Sequence, residues 1–158
     1  AETYKMNITV TNCSNNYGPY QYPEKLIPLF VTNLIEGKKV TIYGEGKNIR
    51  DWIHVDDHNR GVDLILHQGK IGETYCLGGN SERSNLELTQ AILRLMDKGE
   101  DCIIHVADRL GHDLRYAIDY AKAERELGFQ PQISLDEGLS ATISGYKKNH
   151  AWWKKIKK

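Results

Sequence analysis

What most constrains the fold of this 158-residue chain is a repeated switch between two hydrophobic periods. Leu88, Ala91, Ile92, Leu95 and Met96 recur at the i, i+3, i+4, i+7, i+8 spacing of a helix buried on one face. In front of them Ser84-x-x-Glu87 reads as a capping box, in which each residue satisfies a free N–H of the first turn. "NITVTN", residues 7–12, instead alternates β-branched residues, which predicts a strand with Ile8 and Val10 on one face.

The switch recurs along the chain. "KLIPLFVTNLIEG" predicts a buried helix, with Pro23 and Glu24 suited to its first turn and Gly37 to its end. Pro28 falls early enough in it to be tolerated. "KVTIYGEGKNIRDWIHV" reads as two short strands around a Gly-Glu-Gly-Lys turn, and "DDHNRGVDLILHQG" as a helix started by the Asp pair. "ETYCLGG", "CIIHV" and "RYAID" are further strands. Asp119 is placed to cap a helix ending at Gly128, and Ser134-x-x-Glu137 opens the closing helix as a second capping box. No repeat or linker interrupts the series, so the expected class is α/β in one unit spanning residues 1–158.

Lys+Arg and Asp+Glu both number 21, so no basic field exists for non-specific nucleic-acid binding. The closing "WWKKIKK" reads as a solvated helix end. Cys13, Cys76 and Cys102 are odd in number and form no C-x-x-C, the pattern of free thiols in a reducing compartment. With no apolar run of membrane-spanning length and no signal peptide, a cytoplasmic protein is expected. "AETYKMNITVTN" lacks an initiator Met and runs like the end of a helix into a strand, as in a chain cut from a longer one.

No G-x-G-x-x-G follows a strand, and no nucleophile–base pair is evident. His54 and His58 in "HVDDH" have ligand spacing, but they straddle a strand-to-helix junction and no metal is expected there. What stands out is a set of polar residues at strand ends. Asn15, Asn16 and Lys25 surround the first loop, Arg50 interrupts an apolar strand, Asn85 opens the capping-box helix, and Arg109 and His112 share "DRLGH". Ligands of α/β folds bind where loops leave the carboxyl ends of strands. Two arginines and a lysine suit a diphosphate, and Asn suits sugar hydroxyls or a base edge. Plainer readings stand beside these: Arg50 pairing with Asp51 or Asp56, Asn15 and Asn16 as turn residues, His112 as an ordinary loop histidine, Tyr43 and Tyr146 as core aromatics.

"TNCSNNYGPYQYPEKLIPLF", "IYGEGKNIRDWIHVDDH", "GETYCLGGNSERSNLEL" and "DRLGHDLRYAIDYAKAERELG" together resemble the dTDP-glucose 4,6-dehydratases. These are extended short-chain dehydrogenase/reductases of dTDP-rhamnose biosynthesis. The likeness runs in order over nearly the whole chain and fades in the last dozen residues.

The resemblance implies the C-terminal substrate-binding part of such an enzyme, with strands that would complete an NAD-binding Rossmann sheet. The Gly-rich motif, the catalytic Tyr-x-x-x-Lys and the acidic pair of the family would then lie upstream of this sequence, leaving no catalytic residue here and an inactive chain. The implied reaction takes hydride from sugar C4 to NAD, removes water across C5 and C6, and returns hydride to C6, giving dTDP-4-keto-6-deoxyglucose. Asn15 would approach the cofactor and Asn16 the substrate. Lys25, Leu26, Thr41, Ile42 and Tyr43 would line the nucleotide, Arg50 and Arg109 would hold the diphosphate, and Asn85, His112 and Tyr146 would make further substrate contacts. Leu110 departs from the family's "DRPGH". The longer enzyme would be a homodimer. This chain, its sheet edges unpaired, would associate through them or with a partner fragment. A UDP-sugar epimerase or decarboxylase of the same superfamily, or a non-catalytic nucleotide-binding module, are the alternatives.

Overall fold

The computed structural model describes residues 3–157. Strands and helices alternate as expected. Among the described residues they are β1 (Val10–Cys13), β2 (Asn15–Tyr17), α1 (Leu26–Ile35), β3 (Val40–Tyr43), β4 (Ile49–His54), α2 (Val55–Gln68), β5 (Thr74–Leu77), β6 (Glu82–Ser84), α3 (Asn85–Leu95), β7 (Ile103–Val106), β8 (Arg115–Tyr116), α4 (Ala121–Leu127), α5 (Leu135–Lys148) and α6 (His150–Ile156). β1 pairs with β5, β2 with β4, β3 with β7 and β4 with β8, all in parallel, while β6 runs antiparallel to β4.

The local signals do their work. Both capping boxes close, with Ser84 and Glu87 opening α3 and Ser134 and Glu137 opening α5. Asp119 accepts from the Ala121 N–H at 2.8 Å at the start of α4, and Gly128 ends that helix at φ +67°. Pro28 is the third residue of α1, where its missing N–H has no partner to lose.

Several expectations need correction or refinement. The stretch read as a loop after β1 contains β2, because Asn15–Tyr17 finds a ladder partner in β4, with Asn15 opposite Trp52. Two strands do flank Gly44-Glu45-Gly46-Lys47 as expected, but they lie in different sheets: Gly44 and Gly46 take φ of +54° and +69°, and the turn carries the chain from one sheet to the other. α2 is capped by His54, whose Nδ1 accepts from the Asp56 N–H, rather than by an Asp side chain. On α3, Leu95 is 41% exposed and Leu93 is buried in its place. Pro23 and Glu24 precede α1, which starts at Leu26, and the last helix breaks at Asn149.

Two apolar clusters form. The larger joins α1, α3, α5 and α6 through Ile27, Val31, Leu88, Ile92, Leu139 and Trp153, with Tyr17 and Trp52 reaching in from β2 and β4. The smaller joins β4, β5, α2 and α4 through Ile53, Ile65, Tyr75, Leu77, Ala123 and Phe129. Among the described residues no helix is long and apolar enough to cross a membrane.

Candidate binding cavity

A cavity of about 730 Å³ opens along the edge of the larger cluster. Its wall is assembled from six separated stretches, and these bring together Asn15, Asn16, Lys25, Leu26, Thr41, Ile42, Tyr43, Arg50, Asn85, Arg109 and His112. Each arrives for a local reason. β2 presents the two asparagines beside β4, the start of α1 presents Lys25 and Leu26, and β3 presents Thr41 to Tyr43. The capping box fixes Asn85 as the first residue of α3.

Arg50 is held by the backbone rather than by a carboxylate. Its Nη1 donates to the Ile49 carbonyl at 2.7 Å and its Nη2 to the Asp113 carbonyl at 3.0 Å. Asp51, the expected rival partner, is buried and spent elsewhere, accepting from the Gly79 and Ser81 N–H groups at 2.9 and 2.7 Å. Asp56 lies beside His54. The Arg109 guanidinium sits over the Tyr43 ring, 4.0 Å from its centroid. Among the described residues neither guanidinium forms an ion pair with a carboxylate, so both charges remain available to an anion. Lys25 differs: it pairs with Glu24 at 3.0 Å, at an exposed position.

Tyr146 is the exception among the expected contacts. It does not line the cavity but lies buried in the larger cluster, its hydroxyl donating to the Gln21 carbonyl. Burial pushes the Tyr146 hydroxyl well above the usual phenol range, so it stays a donor across physiological pH. The structure thus supports the core-aromatic reading of this residue over direct contact.

The wall also contains residues that pattern reasoning passed over: Cys13, Ser14, Gln21, Asn33 and Trp52. Ser14 Oγ, Asn16 Oδ1, Gln21 Oε1, Trp52 Nε1 and His112 Nδ1 are buried without a hydrogen-bond partner among the described residues. A buried unpaired polar atom is costly, and such atoms in a cavity wall point to a partner supplied from outside the chain. Nothing in the spacing of these residues announced them; only the pairing of β2 with β4 brings 13–21 and 52 together.

His54 lies outside this wall and serves as a helix cap. Among the described residues no cluster of three metal-ligating side chains occurs.

The family model described as GDP-mannose 4,6 dehydratase matches residues 1–142. The chain belongs to this family. Within it, a dTDP-glucose 4,6-dehydratase from Streptomyces antibioticus is 52% identical over 99% of the chain and 47% of its own length. The chain therefore spans about half the length of the curated relatives it matches. A solved dTDP-glucose 4,6-dehydratase from Streptomyces venezuelae, with NAD and TYD bound, superposes with a TM-score of 0.95 at 50% identity, covering 98% of this chain and 48% of that one. A UDP-glucose 4-epimerase from Thermotoga maritima, solved with UDP-glucose, reaches a TM-score of 0.88 at 27% identity, covering 94% and 48%. This dehydratase family shares the α/β fold seen here, and the dTDP-glucose enzymes stand nearer to the chain than the epimerase does.

Proposed function

We propose that this chain is the nucleotide-sugar-binding part of a dTDP-glucose 4,6-dehydratase, a cytoplasmic, homodimeric lyase of dTDP-rhamnose biosynthesis that forms dTDP-4-keto-6-deoxyglucose with NAD. The observation that carries the reading is convergence. Eleven side chains from six stretches meet in one cavity, and two of them are guanidinium groups without carboxylate partners. A guanidinium stays charged and grips phosphate oxygens with two parallel N–H bonds, so the pair Arg50 and Arg109 suits a diphosphate. Asn16, Asn85 and His112 offer the mixed donors and acceptors that hydroxyls require. The cavity volume falls within the roughly 300–1,000 Å³ usual for small-molecule sites.

The residues present also fit one end of NAD. Asn15 lines the cavity, and Ser14, directly after β1, has a buried Oγ with no partner among the described residues. When bound, NAD would accept and return the hydride. In this reading the chain holds and orients the substrate, residues 1–158 form one substrate-binding unit, and the proton-transfer groups are supplied from elsewhere.

Calorimetric titration tests it. dTDP-glucose should bind saturably and more tightly than UDP-glucose. Arg50→Ala should weaken binding by about 10- to 100-fold, the loss expected of one or two charge-assisted hydrogen bonds. Equal affinity for the two nucleotide-sugars would favour a UDP-sugar enzyme of the superfamily, and no saturable binding of either would overturn the proposal.

A further inference from the structure

The closing segment of the chain is tied to the loop before α1 and, through Asn33, to the cavity wall. Tyr20 stacks edge-on against Trp152, ring centroids 4.9 Å apart, and the Tyr22 hydroxyl donates to the Ile156 carbonyl at 3.2 Å. Lys157 Nζ donates to Asn33 Oδ1 at 2.8 Å, and Asn33 is itself part of the wall. Between these contacts lies Tyr146, fully buried on α5, whose own carbonyl accepts from the Trp153 indole N–H at 2.8 Å. Its hydroxyl is committed to the Gln21 carbonyl. Gln21 in turn passes its side-chain Nε2 to the Asn16 carbonyl at 2.8 Å, and Asn16 Nδ2 reaches Cys13 Sγ and the Ser14 carbonyl at 3.3 and 3.2 Å. Residue by residue, hydrogen bonds therefore link α6 to α5, α5 to Gln21 and Gln21 to the Asn16 main chain in β2, each leaving a side chain and ending on a backbone carbonyl.

We infer that Tyr146 is a positioning residue: it acts on the ligand through Gln21 and Asn16, and α6 holds it in place. This deepens the reading of the cavity as a nucleotide-sugar site. The family model ends at residue 142, so the anchor lies beyond the stretch that model describes. Two features of the geometry explain why a hydroxyl is needed. The loop from Gly18 to Lys25 has few partners within itself, Lys25 N–H to the Tyr22 carbonyl being one, and Tyr20 takes φ +62°, a strained value for a residue with a side chain. A loop so shaped keeps its form only when contacts from outside over-determine it. The Tyr146 hydroxyl supplies one such contact from a buried side chain, whereas those made by the Tyr20 and Tyr22 hydroxyls are exposed.

The test uses the full chain and two readouts. Tyr146→Phe keeps the ring and deletes one oxygen. The side-chain amide resonances of Asn16 should move in this variant, while those of Asn85, at the start of α3, stay in place. Affinity for dTDP-glucose should fall about 3- to 10-fold, the loss of roughly one hydrogen bond. Gln21→Ala, which leaves the core untouched, should shift the same Asn16 signals, and the double variant should lose little beyond either single one. Unmoved Asn16 resonances in Tyr146→Phe would overturn the inference, as would losses that add in full. If the unaltered chain does not bind dTDP-glucose, the functional reading falls, and the Asn16 resonances alone still decide whether Tyr146 positions β2. Should Tyr146→Phe fail to fold, Gln21→Ala decides by the same signals: moved resonances support the relay and unmoved ones end it.

Discussion

β4 and β1 are written in similar letters and end in different surroundings. "IRDWIH" and the run around "NITVTN" both mix β-branched or aromatic residues with polar ones. In β4, Trp52, Ile53 and His54 are all buried, because β2, β6 and β8 pair with it and helices cover it. In β1, Val10 is 48% exposed, and the approach to it is exposed along residues 3–8, Tyr4, Met6 and Ile8 included. Among the described residues β1 has a single partner, β5. A parallel strand is normally enclosed on both sides, so the contrast shows that burial follows from the number of neighbours and not from the pattern of a strand alone.

The contrast is broken or upheld by paired substitutions. Ile53→Ala should cost about 2–5 kcal/mol in urea unfolding, since it leaves a cavity in the smaller cluster. Val10→Ala should stay within about 0.5 kcal/mol, as surface changes do. Similar losses at both sites would erase the distinction between the two strands.

The unpaired edge of β1 is the next test. Ile8→Lys combined with Val10→Lys should shift the chain toward monomer in sedimentation experiments while its melting temperature barely changes, because lysine on an edge discourages strand addition. An unaltered chain that sediments as a monomer at every concentration would show that the edge is already blunted.

The smallest effect belongs to the helical side. Glu36 accepts hydrogen bonds from Lys38 and Lys157, and these hold its carboxyl at about 2, below its ordinary 4.5. A depressed acid stabilises the fold above its unfolded value and loses that contribution as pH falls through the folded one. The difference in melting temperature between the chain and Glu36→Gln should therefore be constant above about pH 4.5 and shrink toward pH 2. A difference that does not change across that window would detach Glu36 from the closure of α6 on α1.

Much of the fold was legible because its signals are short. A capping box spans four residues, a helix face repeats within eight, and a terminating glycine needs only its own backbone freedom. So α2, α3, α4 and α5 were placed correctly, with errors confined to their ends. β2 was missed because Asn15–Tyr17 has no strand pattern of its own and becomes a strand only beside β4. The candidate site was legible to a different degree. The cations and asparagines were visible as residue types out of place, and the resemblance ordered them. Whether Arg50 was spent on Asp51 could not be read from adjacency. It depended on Gly79 and Ser81 claiming that carboxylate from nearly thirty residues away. Trp52 and Gln21 carried no signal at all, and Tyr146, named with the expected contacts, lies in the core behind the cavity wall.

The sequence by itself determined the alternation of elements, their caps and stops, the balance of charge, and the kinship with the dehydratase family. Only the tertiary structure decided which side chains share a wall, which arginines keep their charge free, and that Tyr146 sits behind that wall and not in it. The physical reason is range. Period and capping are settled by groups within a few residues of one another. The cavity exists only where segments as distant as Asn16 and Arg109 are pressed together by the packing of the helices behind them.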